Sequence, residues 1–175
     1  HHYRLNFFFD YPDRKSGERR KEKLYSRLHT NNGKNIADVA SCLFSLHYTS
    51  YSESSLDQTI TNIVTTLNRG GVLIGIIPDG ERVIDAFNGN FGKIEMEDMT
   101  LEIETAKLPL TKKNGIPYLF RMKNSFSCVQ YTLLFNTLVR KCEEKGLGLL
   151  YYRHMHDLAR SEMLNPINEN LLERM

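Results

Sequence analysis

Residues 41–84 read SCLFSLHYTSYSESSLDQTITNIVTTLNRGGVLIGIIPDGERVI, and their pattern decides the fold. The apolar run begins a little earlier. Ile36 to Leu46 is nearly continuous, as in a strand covered on both faces of a sheet. Ser54 or Ser55 is placed to cap a helix that reaches Asn68. In it, Leu56, Ile60, Ile63, Val64 and Leu67 recur at i, i+4, i+7, i+8 and i+11, one helical stripe. Gly70-Gly71 ends that helix. Val72 to Ile77 is a second buried strand, closed by Pro78-Asp79-Gly80, and Glu81 to Phe87 reads as a short helix. A strand, a helix, a glycine turn and a strand make a crossover unit, which implies a parallel sheet and an α/β fold.

Upstream, Tyr3 to Phe9 reads as a short buried strand ending at Asp10-Tyr11-Pro12. Arg14 to Lys23 (RKSGERRKEK) is a charged, mostly basic stretch, read as a surface loop running into a helix or as a phosphate-contacting loop. Asn31-Asn32-Gly33 marks a turn. Downstream of Gly89 the pattern shortens. Ile94-Met96 and Leu101-Ile103 look like antiparallel strands, and Lys112-Lys113-Asn114-Gly115 like a hairpin turn. Leu119 to Met122 continues as a strand. Tyr131 to Lys145 reads as a helix ended by Gly146, with Leu134, Leu138 and Cys142 on one face. Leu147 to Tyr152 reads as a further strand, and Asn165-Pro166 breaks the chain before a polar tail.

The chain has 175 residues, 41% of them apolar and 25% charged, which fits one globular domain and excludes disordered and fibrous classes. Its 23 basic and 21 acidic residues leave a net charge of +2, too little to argue for a nucleic-acid or membrane surface from charge alone. Cys42, Cys128 and Cys142 are an odd, widely spaced set, so neither a disulfide framework nor a Cys-rich zinc site is expected, and a reducing compartment is. No apolar run has the length of a membrane span, and no signal-peptide pattern is present. His1-His2 reads as the end of a purification tag.

Among chemical motifs, the glycine-rich phosphate loops and H-E-x-x-H are absent. His154 and His156 stand two apart without a third ligand in reach, so they read as a polar strand end and no metal site is expected. His47-Tyr48 is more informative. The pair sits at the carboxyl end of a buried parallel strand, the edge where open α/β sheets bind ligands.

With those residues in place, the chain resembles the mRNA cap guanine-N7 methyltransferases. That family has a strand ending in Q-F-x-x-H-Y, a helix, a Gly-Gly turn, a strand, and then Pro followed by Asn or Asp. Phe44, His47, Tyr48, Gly70, Gly71, Pro78 and Asp79 match it in order and spacing. FRMKNSFSCVQYTLLF resembles a later family segment whose Glu-aromatic pair stands at Gln130-Tyr131. NENLLERM resembles a segment a little before the family's last strands, and NFFFDYPD the third strand, with Asp10 at the adenine-contacting aspartate. The resemblance implies a class I, Rossmann-like methyltransferase fold: a mixed sheet with helices on both faces. It implies a single methyltransferase-like domain over residues 3–175, lacking the family's first two strands with their glycine-rich cofactor loop, and its cap-contacting C-terminal strand.

The implied function is transfer of a methyl group from S-adenosylmethionine to N7 of the guanosine cap of mRNA. The implied cofactor-contacting residues are Asp10, Leu43, Phe44 and Tyr48; the cap-contacting residues are His47, Tyr48 and Gln130. Leu43 replaces a family Gln that helps to hold the cofactor, and Gln130 replaces the cap-binding Glu. No acid–base residue is expected, because guanine N7 is already nucleophilic and the task is positioning. Capped RNA (a GpppN end) is the implied partner, with other capping-enzyme domains or subunits beside it and no membrane. The location would be the nucleus for a cellular source, and host cytoplasm or virion for a viral one. A second expectation is a non-catalytic, methyltransferase-like subunit that binds and stimulates a capping partner; Leu43, Gln130 and the absent glycine loop favour it. A third, a class I methyltransferase for a small molecule or protein, is opposed by His47-Tyr48.

Overall fold

The computed structural model describes residues 37–103 and 108–163. The expected strand ending at Asp10, the basic stretch and the polar tail lie outside them. The chain divides into two units, His1–Leu134 and Phe135–Met175.

The described part of the first unit opens with the expected crossover. Strand β1 (Ala37–Leu43) pairs in parallel with β2 (Leu67–Ile76), and helix α1 (Glu53–Thr66) connects them after a short 3-10 turn at Leu46–Tyr51. The helix forms where its stripe demands: Leu56, Ile60 and Ile63 are buried. Its ends differ from the sequence expectation. Ser52 is the cap, its hydroxyl oxygen accepting from the Ser55 N–H at 3.2 Å. The helix stops at Thr66, because Leu67 turns extended, is buried and pairs with Ala37. Gly70-Gly71 therefore does not end the helix. It lies inside β2, where the register jumps from Ala37 opposite Leu67 to Val39 opposite Val72. Gly70 takes φ +82, and a Cβ on Gly71 would come within 2.9 Å of the Asn68 carbonyl. The strands are also less covered than their apolar runs predict, since Val39, Leu43 and Ile74 are exposed.

Helix α2 (Gly80–Gly89) follows, capped by Asp79, whose carboxylate accepts from the N–H groups of Glu81 and Arg82. A four-stranded antiparallel sheet comes next, in the order β3 (Lys93–Glu95), β4 (Met99–Glu102), β5 (Pro117–Met122), β6 (Ser127–Tyr131). Both early strands form, displaced by one or two residues towards the N-terminus from Ile94–Met96 and Leu101–Ile103. The β5–β6 connection is a tight turn through Asn124, at φ +58. That corrects two expectations: the hairpin turn is not at Lys112–Gly115, and Tyr131 ends a strand instead of starting a helix. The sheet packs on α2 through Ile84, Phe87, Ile103, Ile116 and Tyr118. Parallel and antiparallel pairing with helices gives the mixed α/β character of a class I methyltransferase fold.

The second unit holds α3 (Phe135–Glu144) and α4 (Met155–Met163). Gly146 takes φ +86 just past α3, as its helix-ending role requires. Leu147 to Tyr152 is not a strand; this segment leaves Leu149, Leu150, Tyr151 and Tyr152 exposed. His154 accordingly precedes a helix, and His156 lies within it.

Candidate functional site: the carboxyl end of the first strand

Strand β1 ends at Leu43, and Phe44 turns the chain sharply. Its N–H still donates to the Ile76 carbonyl at 2.8 Å, but its φ is +52, the left-handed region that bulky residues avoid. This turn leaves Leu43 54% and Phe44 57% exposed at the strand's carboxyl end. It also sends the following 3-10 turn inward.

Hydrogen bonds of Ser50 and Thr132 seat that turn against the end of the second sheet. The Ser50 hydroxyl donates to the His47 carbonyl at 2.7 Å, with the Thr132 carbonyl 3.1 Å away. Thr132 Oγ1 accepts from the Ile116 N–H and lies 2.8 Å from the Lys113 carbonyl. Gly115, at φ +75, allows the close approach: a Cβ there would stand 2.9 Å from the Ser50 carbonyl oxygen. The expected turn glycine is thus what lets the two sheets meet.

His47 is only 2% exposed, and neither ring nitrogen has a hydrogen-bond partner among the described residues. Burial lowers its pKa to about 4, so the ring is neutral at physiological pH. Its neighbour Tyr48 lies against it, ring centroids 4.3 Å apart and tilted by 34°. The Tyr48 hydroxyl sits 3.2 Å from Cys128 Sγ and accepts from Gln130 Nε2 at 3.2 Å. Burial first, then the Cys128 contact, raises the Tyr48 pKa and keeps the phenol protonated. Gln130 itself is 9% exposed, and its Oε1 accepts from the Tyr118 hydroxyl at 2.9 Å.

The structure therefore brings His47, Tyr48 and Gln130 together from two sheets, with Leu43 and Phe44 at the adjoining strand end. Asp10 lies outside the described residues. Sequence reading missed Cys128 and Tyr118. Tyr118 stands directly opposite Gln130 in the β5–β6 register, a signal readable only once β6 is recognised. Among the described residues no cluster of His, Cys, Asp and Glu is suited to a metal, and no helix is long and apolar enough to cross a membrane.

Comparison with known proteins decides the family. The family model of the mRNA (guanine-N(7))-methyltransferase domain matches residues 15–175. The chain belongs to this family. Among its relatives, the mRNA cap guanine-N(7) methyltransferase of Caenorhabditis elegans is 31% identical over 89% of this chain and 40% of its own length. The mRNA cap guanine-N(7) methyltransferase 1 of Oryza sativa subsp. japonica is 26% identical over 79% of this chain and 39% of its own length. The Drosophila melanogaster protein of the same family is 27% identical over 79% of this chain. The chain thus spans about two fifths of the length of the rice and nematode relatives.

Proposed function

We propose that the chain carries the cap-contacting part, and a share of the cofactor-contacting part, of an enzyme that methylates N7 of the guanosine cap of mRNA. The convergence of His47, Tyr48 and Gln130 at the carboxyl end of a parallel strand carries this reading. A nuclear site of action goes with it for a cellular source, and capped RNA is the partner.

The residues beside β1 fit an adenosyl group. Leu43 and Phe44 leave apolar surface exposed where parallel strands end, suited to one face of a purine. Asp10 would accept from the adenine amino group. S-adenosylmethionine, when bound, supplies a methyl group on a sulfonium that leaves readily. Guanine N7 brings its own lone pair, so no side chain needs to remove a proton.

The chain's own residues orient the base. Tyr48 offers an aromatic edge and face to a purine, the common way of holding an unpaired base. His47, neutral because it is buried, keeps one ring N–H for a carbonyl such as guanine O6 and no charge to repel the developing cation. Gln130 offers an amide oxygen to the guanine N–H edge. It carries no negative charge, so it gives less electrostatic help to an N7-methylated purine than a carboxylate would. That neutrality is the specific observation favouring the second reading, a stimulatory subunit that recognises the cap without transferring the methyl group.

Calorimetric titration with S-adenosylhomocysteine and then with an N7-methylated cap analogue separates the readings. Binding of both supports the enzyme. Cap binding alone favours the recognition subunit, and binding of neither contradicts both.

A further inference from the structure

Gln130 can be held in either of two orientations, because its amide has a donor end and an acceptor end of nearly equal shape. One neighbour decides between them. Tyr118 is 3% exposed, packed edge-on against Phe87 at 5.8 Å, and stands opposite Gln130 across the β5–β6 ladder. Its hydroxyl donates to Gln130 Oε1 at 2.9 Å. Burial raises the pKa of Tyr118, so the hydroxyl keeps its proton and must donate it. Turning the amide over would bring Nε2 against that hydroxyl and leave a buried O–H without an acceptor, which is costly. With Oε1 held by Tyr118, Nε2 faces Tyr48 and donates to its phenol oxygen at 3.2 Å.

We propose that Tyr118 is a positioning residue of the purine site: its buried hydroxyl sets the polarity of the Gln130 amide, and through Gln130 it fixes the Tyr48 phenol. The inference rests on the reading of Tyr48 and Gln130 as cap contacts. A neutral amide has one acceptor atom to offer the guanine N–H edge, and Tyr118 holds that atom in one place. Oε1 has two lone pairs, and Tyr118 uses one. A carboxylate at position 130 would need no such help, since both of its ends accept.

The test uses that difference. Tyr118→Phe is made in the full chain and again with Gln130→Glu, and cap-analogue affinity is measured for all four proteins. With Gln130 present, loss of the hydroxyl lets the amide turn and is expected to weaken cap binding about tenfold. With Gln130→Glu the same loss is expected to cost about twofold or less. Equal losses in both backgrounds would mean that Tyr118 acts only through packing, and would overturn the proposal; so would no loss in either. The side-chain NH2 resonances of Gln130 give a readout that needs no cap. They should form one sharp pair in the wild-type chain and double or broaden in Tyr118→Phe. A doubled pair in the wild-type chain would overturn the locking directly. A locked amide in a chain that binds no cap would support the locking while removing the cap reading.

Discussion

Gln130 donates from Nε2 to the phenol oxygen of Tyr48 at 3.2 Å, across 82 residues of sequence. Tyr48 belongs to the turn that leaves the parallel sheet, and Gln130 to the last antiparallel strand. This bond, the Tyr48–Cys128 contact and the Ser50–Thr132 contact join that turn to the second sheet. Replacing Gln130 by Glu keeps both neighbours satisfied, because a carboxylate accepts from Tyr118 and from Tyr48. It also places a negative charge beside the cationic, N7-methylated purine. Methyl transfer by Gln130→Glu is expected to rise several-fold, about 1 kcal/mol of transition-state stabilisation. Initial rates with capped RNA check this, and a clear fall would oppose the assignment of position 130.

His47 gives a pH dependence with a defined sign. Its pKa is about 4 folded and near 6.5 in an open chain, so the unfolded chain binds the proton more tightly. Its contribution to stability is constant above about pH 6.5, falls as pH drops towards 4, and levels off below that. The loss amounts to roughly 3 kcal/mol for this residue. Urea unfolding across that range should show a steep acid-side decline in the wild-type chain and a shallower one in His47→Leu. Parallel curves would show that His47 is not held neutral.

Phe44 separates binding from stability. Its φ of +52 stores backbone strain of about 1–2 kcal/mol for a side chain with a Cβ. Phe44→Gly relieves that strain and loses only half-exposed apolar surface, while it adds chain entropy to the unfolded state. Stability should change by less than about 1 kcal/mol, whereas affinity for S-adenosylhomocysteine should fall about tenfold. Unchanged affinity would remove Phe44 from the cofactor surface.

How much of this was legible in the sequence depended on the range over which each signal acts. The β1–α1–β2 crossover was readable because the stripe from Leu56 to Ile63 and the flanking apolar runs are local patterns. Ser52 won the cap over Ser54 and Ser55 by one hydrogen bond, which periodicity does not report. Tyr131 was misread because β6 is only five residues long and runs on into a stretch with helical spacing. Leu147 to Tyr152 has strand-like composition but no pairing partner among the described residues, and composition alone does not make a strand. Of the site, His47 and Tyr48 were visible through their place at a strand end. Tyr118 and Cys128 were not, because their relation to Gln130 exists only through the β5–β6 register and the packing of the 3-10 turn.

Gly80 tests the seat of α2. A Cβ at this position would come within 2.5 to 2.9 Å of three backbone atoms of Leu133, and backbone cannot move aside as a flexible side chain can. Gly80→Ala should destabilise the first unit by about 1–3 kcal/mol. Denaturant midpoints measure it; a midpoint equal to the wild type would mean that Leu133 does not lie over the helix start.

The proposed role of these residues is methyl transfer to a cap. It is tested most directly by incubating the chain with methyl-labelled S-adenosylmethionine and GpppN-ended RNA, followed by digestion and identification of the labelled nucleoside. Label is expected in N7-methylguanosine from capped RNA, and none from the same RNA with an uncapped triphosphate end. Label at any other position, or no label from a chain that binds both ligands, would contradict it.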